Sequence, residues 1–323
     1  MRQIAIFTGI FLLGTAAFAA DSQLLNLVMP DAQIMAGVNV TTAKISPFGQ
    51  YLLTQIAGND QGLQDFIAKT GFDPRQDVTE ILAASAANPA TPGGLVLAKG
   101  NFNVEKLLAA ISEAKNQQVT TYAGATLITG VDPKIQHAVA FVGTSVAIAG
   151  DVTSVKAALD RASAVNSINP ALATQVQALS TSQDAWTVSL ASLGSLMPGA
   201  QVKDGPAAQS LQLVRNIQSS SGGVKFGTNI DLTGQAVADT PQNATALADI
   251  VRMVVGLVSM TAAQNPQAGP AVQLLQNLKV SADGTAVNIS ASVPETQVEA
   301  LIKLASAQKT ETGTPAVRKR QRL

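Results

Sequence analysis

The residues of this chain that could do chemistry are few, and they fall in three places. The first is "HAVAFVGTSVAIAGDVTSVKAALDRA" (137–162), which holds His137, the only histidine. A histidine metal site needs further good ligands, and the chain has neither a cysteine nor a second histidine. A Ser–His–Asp triad needs a serine on a sharp strand-to-helix turn, and no G-x-S-x-G occurs. His137 therefore reads as a strand-end surface residue. The second place is "GFDPRQD" (71–77), with Asp73, Arg75 and Asp77 on one turn. A helix C-cap at Gly71, a proline turn and an N-cap account for all of it, so it reads as scaffold.

The third is a pair of short patterns. Ser112-Glu113-Ala114-Lys115 fits S-x-x-K, and Lys69-Thr70-Gly71 fits K-T-G. In serine enzymes of the penicillin-binding and β-lactamase type, the serine is the nucleophile and the lysine one helical turn away faces it. The order here is reversed, K-T-G falls at a helix end where a strand is needed, and no S-D-N element lies between them. Calcium loops, phosphate loops and dinucleotide glycine fingerprints are absent too. The expectation is a protein that is not an enzyme, with no catalytic residue, no metal and no cofactor.

The elements that would position these residues alternate between short strands and helices. "IMAGVNV" (34–40) reads as a strand, and Ser46-Pro47 starts a helix as N-cap and first helical residue. Asp77 and Glu80 form an apparent capping box for a helix over "VTEILAAS". "GLVLAKG" (94–100) is a strand, "NVEKLLAAISEAK" (103–115) an amphipathic helix, and 119–130 a strand pair or bulged strand. Residues 137–151 alternate as a hairpin, and Asp151 caps the helix that follows. In the second part, 222–240 reads as two strands joined near Thr233-Gly234. A long apolar helix spans roughly 241–264, and Asp283-Gly284 marks a hairpin. Asp249 and Arg252 interrupt the long helix, which argues against a membrane span.

"GTSVAIAGDVTSVKAAL" (143–159) resembles "GTAVNISASVPETQVEALI" (284–302), and each closes one half of the chain. This points to an internal duplication: an α+β protein of two related halves, 21–165 and 166–308, each an antiparallel sheet with helices packed on one face. The histidine and Asp151 are missing from the second copy, which again makes the opening stretch scaffold.

The ends and the composition bear on location. Arg2, the apolar run 4–14 and the small residues at 17–19 have the layout of a secretory signal within residues 1–20, with cleavage leaving Ala20 or Asp21 first. The expectation is export to the periplasm or the extracellular space. With 46% hydrophobic and 13% charged residues the chain is globular. Without cysteine, its core alone must stabilise it. Residues 309–323 read as a disordered basic tail, in which Arg318, Lys319, Arg320 and Arg322 offer weak attraction to an anionic surface. Four charges without aromatics argue against a nucleic-acid partner.

The order of Pro30-Asp31-Ala32, "GFDPRQDV", "GGLVLAKGNFNVEKLL", "YAGATLI" and "VAIAGDVTSVKAAL" is similar to bacterial exported proteins of unknown function of the DUF3352 type, mainly over residues 28–160. That resemblance implies no catalytic residues. The function expected is a non-catalytic cell-envelope protein acting as a structural or interaction module. The alternative is a carrier of an apolar ligand, in a cavity that helix 241–264 lines with Met253, Leu257 and Met260. An envelope protein or an apolar ligand is the expected partner.

Overall fold

The computed structural model describes residues 19–57, 61–87, 93–112, 117–132, 136–163, 168–196, 206–262 and 274–312. Residues 1–18 of the signal-like segment 1–20 and residues 313–323 of the expected tail 309–323 lie outside them; residues 309–312 belong to the C-terminal helix, so the expectation of disorder there is corrected.

The strands are β1 (Ile34–Asn39), β2 (Val78–Ser85), β3 (Gly94–Gly100), β4 (Gln117–Tyr122), β5 (Ala125–Gly130), β6 (His137–Val142), β7 (Val146–Asp151), β8 (Ala185–Ser189), β9 (Ile217–Lys225), β10 (Asn229–Ala238), β11 (Lys279–Asp283) and β12 (Ala286–Pro294). They form one sheet of twelve strands in the order β11-β12-β10-β9-β8-β1-β2-β3-β7-β6-β5-β4. Neighbouring strands are antiparallel throughout. The protein is thus α+β. In place of two separate sheets, β1 and β8 pair and carry one sheet across the expected boundary near residue 166.

The helices are α1 (Ser22–Leu27), α2 (Val40–Ile45), α3 (Pro47–Ala57), α4 (Gln61–Thr70), α5 (Pro74–Asp77), α6 (Val104–Ser112), α7 (Val152–Arg161), α8 (Pro170–Ser182), α9 (Leu193–Leu196), α10 (Pro206–Arg215), α11 (Pro241–Ala262) and a C-terminal helix, Glu295–Thr312. Their starts follow local chemistry. The Asp151 carboxylate accepts from Ser154 N at 2.8 Å to cap α7, and Ser46 Oγ accepts from Gly49 N at 3.0 Å at the head of α3.

On one face, Met35, Leu82, Leu95, Leu97, Val146 and Ile148 are fully buried under α1, α7 and α8, through Leu24, Leu27, Val155, Leu159, Leu172 and Val176. The other face is covered at its two ends. Near β5–β7, α6 and the segment after α4 bury Ile128 and Phe141 beneath Phe72, Phe102 and Leu107. Near β10–β12, α9–α11 pack Leu193, Val214, Ala244, Leu247 and Ala248 on Ile217, Ala236, Val280 and Val287. Helices therefore lie on both faces of the sheet, and the expectation of a single covered face is corrected.

Three further expectations change. "VTEILAAS" is strand β2, not a helix. Leu82 and Ala84 alternate into the buried face, and Asp73 rather than Asp77 is the cap, serving the short α5. The turn between β9 and β10 falls at 226–228, not at Thr233-Gly234. The matched hairpins do not point the same way. Val146 and Ile148 face the α7 side, whereas Val287 and Ile289 face α11. The first hairpin has three residues between its last paired residues and the second has two, and one residue flips a strand's side chains.

One contact fixes the junction. Gly37 pairs with Trp186 across β1–β8, and a Cβ at Gly37 would stand 2.4 Å from the indole ring. The sequence spends a glycine there so that the buried tryptophan can lie flat on the neighbouring strand.

Candidate functional site

His137 is the first residue of β6, is exposed, and pairs in register with Asp151. No group of His, Asp and Glu among the described residues could hold a metal ion. The two serine-enzyme patterns stay apart. Thr70 Oγ1 donates to Phe66 O at 2.7 Å and accepts from Phe72 N at 3.1 Å, so it serves the end of α4. Gly71 lies beside Lys106, near the start of α6, while Ser112 is at the other end, about 9 Å along the helix axis. Glu113 to Lys115 fall outside the described residues.

The charged turn is bound up with itself. The Arg75 guanidinium donates to both Asp73 oxygens at 2.9 and 2.8 Å, and Asp77 Oδ2 accepts from Asp73 N at 2.7 Å. These hydrogen bonds, Arg75 foremost, hold the Asp73 carboxyl below its ordinary range. Lys44 Nζ donates to Gln76 O and Val78 O, and burial pulls its pKa down despite Asp77 and Asp73 nearby. Gly71, Phe72 and Asp77 of this stretch also line a cleft.

The feature that scaffold does not absorb is apolar. Following the strand register on the less covered face gives one cross-strand row: Val119, Ile128, Val139, Ala149, Val96, Ala83, Ala36, Thr187, Gly222, Gly234, Ile289 and Val280. Without a single charge, it crosses all twelve strands, roughly 50 Å at the usual strand spacing. A second row beside it runs Ala185, Val38, Ile81, Ala98, Ala147 and Phe141. Ile128 and Phe141 are buried, but the middle of the two rows is open: Val96 is 49% exposed, Ile81 37% and Val38 36%. An apolar face of this kind is normally covered, and an uncovered one marks a place of interaction.

A second apolar surface lies on α11. Met253, Leu257 and Met260 are 64%, 63% and 72% exposed. They were expected to line an enclosed cavity; among the described residues they stand exposed on the helix and line none of four clefts on the molecule. Pro241–Met260 is long and apolar enough to cross a membrane by length and composition, but Ala244, Leu247 and Ala248 pin its first half to the sheet. The largest of these four clefts, about 680 Å³, is at the other end of the sheet. It is lined by Phe72, Phe102 and Phe141 together with Asn101, Asn103, Glu105 and Lys106.

Sequence reasoning singled out Met253, Leu257 and Met260 as cavity-lining residues and missed the open sheet face. Its signal was the unbroken apolar runs of β2 and β3, "ILAA" and "LVLA", which describe strands apolar on both sides.

No family model matches the chain, and no curated protein does. Two solved structures share the fold. Crystal form IV of TP0453 superposes with a TM-score of 0.52 at 11% identity, covering 88% of this chain and 97% of that one. Crystal form III of TP0453 gives 0.51 at 10% identity, covering 86% and 96%. The fold is therefore that of a mixed α+β protein with a large antiparallel sheet.

Proposed function

We propose that this chain is a non-catalytic, exported cell-envelope module that acts by interaction, with the open apolar face across β1, β2, β3 and β7 as its working surface. The observation that carries the reading is the uncharged apolar face through Val96, Ile81 and Val38, exposed at 49%, 37% and 36%, with Ala83 and Ala36 half-buried between them. Export is supported by the signal-like layout of residues 1–20, and intact Met1 in the mass of the mature protein would reject it. The test of the surface is Ile81→Ser with Val96→Ser. Bound to a fluorescent apolar probe such as anilinonaphthalene sulfonate, the native protein gives strong emission and the double variant loses most of it at unchanged thermal stability. Equal emission from both would remove the sheet face as the site.

A second reading, a carrier of an apolar ligand, is favoured by Met253, Leu257 and Met260, which a ligand would cover from outside. Its test is a photoreactive fatty acid, whose cross-links would fall on α11 rather than on β2 and β3.

The organisation into two related halves belongs to the same proposal. Outward from the junction one side reads β1-β2-β3-β7-β6 and the other β8-β9-β10-β12-β11, the same order of first, second, third, last and next-to-last. The duplicated unit is then the strand order with its crossover helix, α6 or α11. Superposition of residues 34–151 on 185–294 with those strands unmatched would reject it.

A further inference from the structure

We infer that the β4 edge of the sheet is a docking strand for a second copy of this chain, pairing antiparallel about a two-fold axis at Val119. The inference does not rest on the function proposed above; it starts from the difference between the two edges of the sheet. At the β11 edge, the turn after Asp283 pairs Asp283 with Ala286, so Val280 and Ala282 carry the outward backbone groups. That edge is blocked. Arg252 Nη2 donates to Val280 O at 2.9 Å, α11 packs beside the strand, and Lys279 and Asp283 put charge at its two ends. These are the usual devices that keep an edge from pairing.

The β4 edge has none of them. Its sequence, Gln117-Gln118-Val119-Thr120-Thr121-Tyr122, has no charge and no proline, its register with β5 is unbroken, and all but Tyr122 are exposed. The two-residue turn Ala123-Gly124, with φ of 46° and 79°, makes Tyr122 and Ala125 a hydrogen-bonded pair. Backbone groups alternate along a strand, so Gln118, Thr120 and Tyr122 bond to β5, while Gln117, Val119 and Thr121 present theirs outward. Among the described residues, no backbone hydrogen bond engages these outward groups.

The strand is complementary to itself. An axis at Val119 sets Val119 opposite Val119, Gln117 opposite Thr121 and Gln118 opposite Thr120, so every outward donor and acceptor meets one from the other copy. Nothing in the pairing repels. Because the axis falls on a residue, each face of the sheet continues as the same face. Val119, 43% exposed, is the end of the apolar row, and pairing joins the two rows into one.

The experiment uses the mature full chain in sedimentation velocity over a range of concentrations. The native protein sediments as a concentration-dependent dimer, and Val119→Lys sediments as a monomer with an unchanged circular dichroism spectrum. The chain has no cysteine, which permits a second reading. Under mild oxidation Val119→Cys forms a cross-linked dimer, because directly opposite Cα atoms about 5.5 Å apart suit a disulfide. Gln118→Cys and Val280→Cys do not. A native protein that is monomeric at every concentration overturns the inference. So does a dimer that survives Val119→Lys, or cross-linking at Val280 in place of Val119.

Discussion

Val96 and Leu97 are neighbours on β3 and live on opposite sides of the sheet. Leu97 is 0% exposed beneath α1, α7 and α8, and Val96 is 49% exposed. Both strands around them are apolar on both sides, so the difference is not in the strands. It comes from where the helices land. On the Leu97 side, α1, α7 and α8 converge over the middle of the sheet. On the Val96 side, α6 and α11 cross over at the two ends and leave the centre open. A buried face and a working face can thus share one strand and one composition, and only the connections tell them apart.

The largest way to break that comparison is a truncation on each side. Leu97→Ala should cost the ~2–5 kcal/mol of a core cavity, while Val96→Ala should cost about 1 kcal/mol or less. Urea denaturation of the two variants measures both. Equal losses would mean that the Val96 side is a core like the other. Gly37→Ala tests the junction. The new Cβ would meet the Trp186 ring, and overpacking of this kind costs ~1–3 kcal/mol. Trp186→Leu in the same chain should return part of that loss.

Smaller effects sharpen the scaffold side of the account. Leu159→Ala, in the core under α7, should cost more than Asp151→Ala, which loses only a cap worth ~0.5–2 kcal/mol. The reverse order would return the 137–162 stretch to the list of sites. The carboxylates divide by sign with pH. Arg75 lowers the folded pKa of Asp73, so its contribution is full above the unfolded carboxylate range and is lost as pH falls through the lowered value. Burial raises Glu80, so its ionisation weakens the fold as pH rises out of the carboxylate range. At neutral pH Asp73→Asn should therefore destabilise, and Glu80→Gln should be neutral or stabilising. Melting temperatures of both variants between pH 3 and 7 check the pair of signs.

Much of the local structure was legible. Gly71, Ser46-Pro47, Asp151 and Asp283-Gly284 each carry a cap or turn rule that the structure follows. β2 was not, because an aspartate followed three residues later by a glutamate before an alanine-rich run imitates a helix start. Tertiary pairing on both of its edges decides for a strand instead. Met253, Leu257 and Met260 were legible as an apolar helix face and read as lining a cavity, whereas their exposure follows from only the first half of α11 being held on the sheet. The open face was hidden for a similar reason, since an unbroken apolar run implies two buried sides and nothing in β3 itself says that a helix is missing.

The most direct measurement uses the absence of cysteine. Val96→Cys and Leu97→Cys would each carry the chain's single thiol, and a water-soluble maleimide reports its access. In the purified protein Cys at 96 should react quickly and Cys at 97 only on unfolding. In the intact envelope Cys at 96 should become protected, because its face is engaged there. Reaction at 96 as fast in the envelope as in the purified protein would contradict the account.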